Sequence, residues 1–298
     1  MTRGNESDAD DLHPWRRGRL DDRDGPAALL FGRMFEDAEI ELAVIPAGSR
    51  VFCIASAGCV ALALSARGDD VTCADVNLAQ VEYVVARAAG APPREGLFDR
   101  MMALGRRRLR FAGLDEDPLR AFLTLDDPPS QAAMLSARPA WLAALSSLLR
   151  PLTDRDTYDR TFARALPPDF ERVFAARILR TVSRHPNRDN PFLRRLLLDD
   201  PPPVTSAPTP LRVLHADAAT LLESGPAASF DAFCLSNIED GATDEESHRL
   251  EQALRHAAAP GAIVVTRSLG EPTTDEEAEW AARDRAALWG RIRLRRFP

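Results

Sequence analysis

Lysine is missing from this chain of 298 residues: all 38 of its cationic side chains are arginine. We read the bias as base composition of the source genome, with one chemical consequence. No lysine is present to act as a base or to form a Schiff base. Cysteine is scarce too. The four thiols, Cys53, Cys59, Cys73 and Cys234, show no Cys-x-x-Cys spacing, which excludes a disulfide framework and fits small thiols in a reducing cytoplasm. Nor do they offer the converging thiolates of an iron–sulfur site. Positive charge is also short, since the formal net charge is −7, the opposite of what a nucleic-acid binder carries. His, Cys and carboxylate residues nowhere cluster with metal-ligand spacing, so no metal is expected. No secretory hydrophobic stretch or membrane-length apolar run occurs, and the expectation is a cytoplasmic protein with no integral membrane association.

Hydrophobic runs punctuated by helical patterns are what the chain does have. Strands are expected at 51–54, 70–74, 211–215, 230–235 and 262–266, with a terminal strand at 289–296. Helical periodicity falls between them, at 244–258 and 280–288, and the apolar spacing Leu29, Leu30, Met34, Ala38, Leu42 predicts a helix before the first strand. This order predicts an α/β fold, a doubly wound Rossmann-like core of methyltransferase type made from residues 26–90 and 211–298. Residues 1–25 are polar and rich in Asp and Arg, and are expected to be loose or to act as a lid. Residues 91–210 interrupt the core with helical signatures, clearest in Phe170, Val173, Phe174, Ile178 and Thr181, broken by prolines at 92–93, 128–129, 167–168 and 201–203. This insertion carries 19 Arg against 15 acidic residues. It reads as a helical cap that chooses an acceptor, or as a solvated insertion whose arginines face water.

Two segments carry the chemistry. Ala55-Ser56-Ala57-Gly58 joins the first strand to a helix, where small residues let a ligand lie against bare backbone N–H groups. Asp75, followed by Val76 and Asn77, ends the second strand seventeen residues after Gly58, the position from which a carboxylate grips a ribose diol. One glycine replaces the three of a pyrophosphate loop, so an adenosine cofactor without phosphate fits, and S-adenosylmethionine is such a molecule. The alternative is an ordinary tight strand-to-helix turn.

At these residues the chain resembles the S-adenosylmethionine-dependent 3-amino-3-carboxypropyltransferases, a family that includes enzymes of isonocardicin and betaine-lipid synthesis. The shared words are Ile-Ala-Ser-Ala-Gly at 54–58, Asp-x-Asn-x-Ala-Gln at 75–80, the pair Glu36-Asp37, and Leu-Ser-Asn-Ile at 235–238. Cys59-Val60 and Leu78 depart from the lipid-type words, which favours a soluble phenolic or natural-product hydroxyl over diacylglycerol as acceptor. The resemblance implies transfer of the 3-amino-3-carboxypropyl group to a small-molecule hydroxyl, with release of methylthioadenosine. An ordinary methyltransferase and a non-catalytic cofactor-binding protein are the competing classes.

Such a reaction needs positioning above all. The cofactor's carboxylate asks for a fork donor, Arg33 or Arg267, and its ammonium for an acceptor, Glu36 or Asp37, which could instead be helix-surface charges. Asp217, with Ala218 behind it, ends the third strand; by resemblance it accepts the adenine amino group, and it can equally cap the following helix. Ser236 and Asn237 end the fourth strand, where open α/β sheets hold ligands. Asp240 is the expected general base, unless Asp240-Gly241 merely makes a turn, and His185 is the second candidate.

Overall fold

The structure, a computed structural model, describes residues 18–19, 25–111, 114–150, 165–200 and 210–298. Its centre is a mostly parallel six-stranded sheet in the order β3-β2-β1-β4-β5-β6, formed by β1 (Arg50–Ile54), β2 (Asp70–Asp75), β3 (Arg212–His215), β4 (Phe230–Cys234), β5 (Ala258–Ser268) and β6 (Arg291–Arg296). Only β6 runs antiparallel, with Ile263 opposite Arg296 and Ser268 opposite Arg291. The arrangement is α/β and compatible with a Rossmann-like fold.

The strands are hydrophobic on both sides because both sheet faces are covered. Val51, Cys53, Val71, Cys73, Ala232, Cys234, Ile263 and Val265 point into one core. There they meet α1 (Glu39–Val44), α2 (Cys59–Arg67), α3 (Leu78–Ala88) and the insertion. Phe52, Phe233, Leu235 and Val264 point the other way, onto α10 (Ala218–Ser224) and α11 (Asp244–Ala257). Helix α11 starts at a capping box in which Thr243 and Glu246 satisfy each other's backbone N–H groups.

Between α3 and β3 lie α4 (Leu97–Phe111), α5 (Glu116–Leu123), α6 (Pro128–Ser136), α7 (Pro139–Ser146), α8 (Phe170–Arg184) and α9 (Pro191–Leu198). Prolines occupy the first turns of α6, α7 and α9, where no N–H is needed. Leu109, Leu145, Leu148, Phe174 and Ile178 from this region join the same core as β1 and β2, so the insertion shares the sheet's hydrophobic interior. The proline joint at 201–203 and nearly all of the N-terminal segment lie outside the described residues.

Two expectations need correction. The helix before β1 is confined to Glu39–Val44, and residues 25–31 run without helical structure. Their backbone is satisfied from elsewhere. Gln80 Oε1 accepts from Leu30 N (3.1 Å) and Phe31 N (3.3 Å), Asp99 Oδ2 accepts from Gly32 N (2.7 Å), and Leu97 N and Phe98 N donate to Leu29 O and Leu30 O (both 2.9 Å). Near the C-terminus the helix is α12 (Asp275–Arg283), five residues earlier than its apolar pattern suggests, because Thr274 caps it and Asp284 turns the chain by accepting from Ala286 N at 2.8 Å. Among the described residues no single helix is long and apolar enough to cross a membrane.

Candidate functional site

Strand order places β1 beside β4, the point where the chain stops building outward on one side and begins on the other. Open α/β sheets leave a crevice at the carboxyl ends of such strands, and here it holds a cavity. About 190 Å³ is open to the centre of a water-sized sphere, many times the ~10–15 Å³ that one water needs. Its floor is polar and comes from four strand ends: Ser56 after β1, Asp75, Val76 and Asn77 after β2, Asp217 and Ala218 after β3, Ser236 and Asn237 after β4.

The turn after β1 is built around Asp75. Its Oδ2 accepts from Ser56 N at 3.0 Å and its Oδ1 from Asn77 N at 2.9 Å, which holds Ser56 at a positive φ of 45°. Burial pushes the Asp75 carboxyl up to about 6, against the pull of those two N–H groups and of His215. Each oxygen keeps a lone pair for a ligand. Asn77 caps α3, accepting from Ala79 N at 3.0 Å, while its Nδ2 donates to Ala28 O at 2.9 Å. Asp217 caps α10, its Oδ1 accepting from Thr220 N at 2.9 Å, and also lines the cavity.

Ala55, Ala57 and Gly58 are not on the cavity wall. Gly58 has a different reason to be glycine: its φ is 76°, and a Cβ there would come within 2.9 Å of Val84 Cγ1 on α3. Gly58 therefore serves helix packing, Ala55 and Ala57 are buried, and of the four turn residues only Ser56 meets the cavity.

The segment 28–35 crosses above the strand ends and supplies the opposite wall with Leu30, Phe31, Arg33, Met34 and Phe35. Gln80 ties it down, its Nε2 donating to Phe31 O (2.8 Å) and Ser56 O (2.5 Å), and Tyr83 Oη donates to Gly32 O (2.6 Å). Arg33 is only 9% exposed, yet its Nη2 is buried with no hydrogen-bond partner among the described residues. Burial pulls this guanidinium below its usual range, with nearby Arg87 and Arg195 adding to the effect. A buried cation without a carboxylate is costly, and this one lines a cavity.

The other expected ligands of the amino-acid arm are engaged elsewhere. Asp37 is a bidentate partner of Arg285 (2.5 and 2.7 Å), and Arg267 is locked between Glu41 (Nη2 to Oε2, 3.0 Å) and Asp284 (3.4 Å). Neither Asp37 nor Arg267 lines the cavity. Glu36 lies just behind the wall, receiving a hydrogen bond from the Ser236 hydroxyl, and burial raises its proton affinity against the opposing charge of Arg267. Ser236 has a positive φ of 53°.

Both expected bases stand away from the wall. Asp240 accepts from Ser268 Oγ (2.6 Å), Leu269 N (2.9 Å) and Asn237 Nδ2 (3.4 Å), which makes it a tie between the ends of β4 and β5. His185 closes α8 with Nε2 2.9 Å from Ala282 O, and neither residue lines the cavity.

The apolar half of the site has no site role in the sequence reading, where Phe170, Leu30 and Met34 figure only as helical spacing. Phe98, Leu149, Leu166 and Phe170 come from the insertion, and Leu269, Leu288 and Trp289 from the chain after β5. Trp289 is oriented by Nε1 donating to Phe35 O at 2.6 Å. No polar motif marks these positions, and only Gln80, inside the 75–80 word, carried a signal. Among the described residues no group of His, Cys, Asp and Glu could hold a metal. Comparison of the chain with protein-family models, curated proteins and solved structures gives no match.

Proposed function

We propose that the chain is a transferase with a doubly wound, methyltransferase-type core that binds S-adenosylmethionine and moves its 3-amino-3-carboxypropyl group to a hydroxyl acceptor, releasing methylthioadenosine. The observation that carries this reading is the presence, in one cavity, of Asp75 at the end of β2 and of Arg33, whose buried Nη2 has no hydrogen-bond partner among the described residues. A carboxylate with spare lone pairs suits a ribose diol, and a buried fork donor suits a carboxylate. The two groups are complementary to the two ends of this substrate, and in the β1–α2 turn the N–H groups of Ser56 and Gly58 are already taken by Asp75 and Ala55 and so are not offered to a pyrophosphate.

S-adenosylmethionine supplies a sulfonium that activates the carbon attached to it. The chain's own part is to bind and orient. Asp75 and Asp217 hold the adenosine, Arg33 draws the amino-acid arm across the strand ends, and Phe98, Leu149, Leu166 and Phe170 keep water from the acceptor. The acceptor hydroxyl must lose a proton as the new carbon–oxygen bond forms and the carbon–sulfur bond breaks. With Asp240 and His185 off the wall, the route is Ser236, which lines the cavity and whose hydroxyl donates to Glu36, a buried carboxylate with raised proton affinity: the hydroxyl takes the acceptor's proton as it passes its own to Glu36.

The test is the nucleoside product of turnover with candidate phenols and alcohols. Methylthioadenosine is expected. S-adenosylhomocysteine would instead make the protein a methyltransferase, and tight binding without any product would make it a cofactor-binding protein.

A further inference from the structure

The outward face of α4 is unlike the rest of the surface. Phe111 is 92% exposed and Leu104 51%. Both lie on one stripe of the helix, spaced with Arg100 and Arg107 as i, i+4, i+7 and i+11, while Arg108 and Arg110 flank it. All four of these arginines are exposed. Many other exposed arginines find carboxylates, as Arg50 does with Asp231, Arg120 with Glu116 and Arg188 with Asp126, and those without one among the described residues, such as Arg94, Arg172 and Arg212, stand apart from any strongly exposed apolar side chain on their own element. Those on the α4 stripe have no ion-pair partner among the described residues. The remaining strongly exposed apolar pair, Leu78 and Val85 on α3, brackets Glu82 and has no such company.

The inner face of α4 fixes this stripe rigidly. Met101, Met102 and Leu109 are buried in the core, and Gly105 lies so close to Leu148 that a Cβ would sit 2.2 Å from its carbonyl oxygen. The helix cannot roll to hide Phe111. Two apolar side chains two turns apart are too few for a helix-binding groove, which takes anchors at i, i+3 or i+4, and i+7. Arginines spread on both sides of an apolar ridge match a flat layer of phosphates over hydrocarbon.

We propose that α4 docks the protein on an anionic bilayer surface, with Phe111 and Leu104 entering the boundary between headgroups and acyl chains and Arg100, Arg107, Arg108 and Arg110 meeting lipid phosphates. The chain's net charge of −7 opposes any such approach by its other faces, so the contact is oriented. Docking is independent of the proposed transfer reaction and is measured without substrate.

The experiment is co-sedimentation of the full chain with vesicles of phosphatidylcholine mixed with phosphatidylglycerol, against phosphatidylcholine alone. Binding to the mixed vesicles only, weakening with salt, is expected. Arg107→Gln/Arg108→Gln should lower partitioning about 25-fold, roughly five-fold per arginine, and Phe111→Ser about ten-fold. Leu78→Ser/Val85→Ser on α3 should bind as the parent does. Circular dichroism checks that each variant, all at exposed positions, remains folded. Equal partitioning to both vesicle types, or none, overturns the proposal. So does a Leu104→Ser/Phe111→Ser variant that binds like the parent; if polyglutamate then competes, the face recognises an acidic protein.

Discussion

Asp75 gives the sharpest test, because the carboxylate that organises the β1–α2 turn is also the one proposed to meet the substrate. Its carboxyl is pushed up to about 6 by burial, roughly two units above an unfolded aspartate, or about 3 kcal/mol. The sign follows from the folded state holding this proton more firmly than the unfolded one. The contribution to stability is complete at pH values below that of an unfolded aspartate and is lost as pH rises through about 6. A ribose diol donating two hydrogen bonds favours the ionised form and reverses the shift. Affinity for S-adenosylmethionine should therefore rise about ten-fold per pH unit up to about 6 and then level, with proton release on binding in the acidic range. In Asp75→Asn one acceptor oxygen is lost, so either Ser56 N or Asn77 N is orphaned, costing about 1–3 kcal/mol of stability, and affinity should fall by about 1.5–3 kcal/mol. Calorimetric titration of both proteins near pH 5 and near pH 7.5 measures all of this. Equal affinity at the two pH values, or unchanged affinity in a folded Asp75→Asn protein, refutes the assignment of the ribose to this residue.

Three further outcomes are expected. Arg33→Met removes a buried cation whose Nη2 has no hydrogen-bond partner among the described residues, so urea midpoints should hold or rise while S-adenosylmethionine affinity drops by about 1.5–3 kcal/mol; a variant that loses stability and keeps affinity would show that the guanidinium serves the fold. Asp284 is pushed up to about 7 by burial, with Asp37 adding and Arg267 opposing, so its contribution to stability is lost as pH rises through that value. Asp284→Asn should then exceed the parent's stability at alkaline pH, by about 4 kcal/mol at most, and lose the advantage near pH 5, as read from unfolding curves across pH. Gly58→Ala must place a Cβ at φ 76° within 2.9 Å of Val84 and should cost about 2–4 kcal/mol in urea unfolding; a cost near zero would mean that α2 can move away from α3.

The parts of the site legible in the sequence are those set by short-range physics. A hydrophobic run followed by small residues and a glycine gave the β1–α2 joint. A carboxylate at the next strand end gave Asp75, and Asp217 could be read both as a strand-end ligand and as a cap. The segment 28–35 misled because its apolar spacing is helical, whereas its residues are apolar in order to line a cavity and its backbone is satisfied by Gln80 and Asp99 from 49 and 67 positions away. Asp37 and Arg267 were recognisable as charges seeking partners. Nothing local says that Arg285 and Glu41, each more than 200 residues distant in sequence, take those places. Asp240 illustrates the same limit: the turn reading and the base reading share one sequence, and only the contacts to Ser268 and Leu269 separate them.

The last strand carries a consequence for the protein in concentrated solution. β6 is an outer strand of the sheet, and its sequence, Arg-Ile-Arg-Leu-Arg-Arg, places four guanidinium groups along six residues. An outer strand offers free backbone N–H and C=O groups to any chain that can lie beside it, which is how folded sheets begin to aggregate. A second copy approaching this one would set arginine against arginine at about 5 Å strand spacing, with Glu277 and Glu251 already engaged by Arg293 and Arg295. The opposite outer strand, β3, has only four residues. One edge is short and the other keeps Arg291 and Arg296 without a carboxylate partner among the described residues, so both outer strands disfavour addition of a second copy to the sheet.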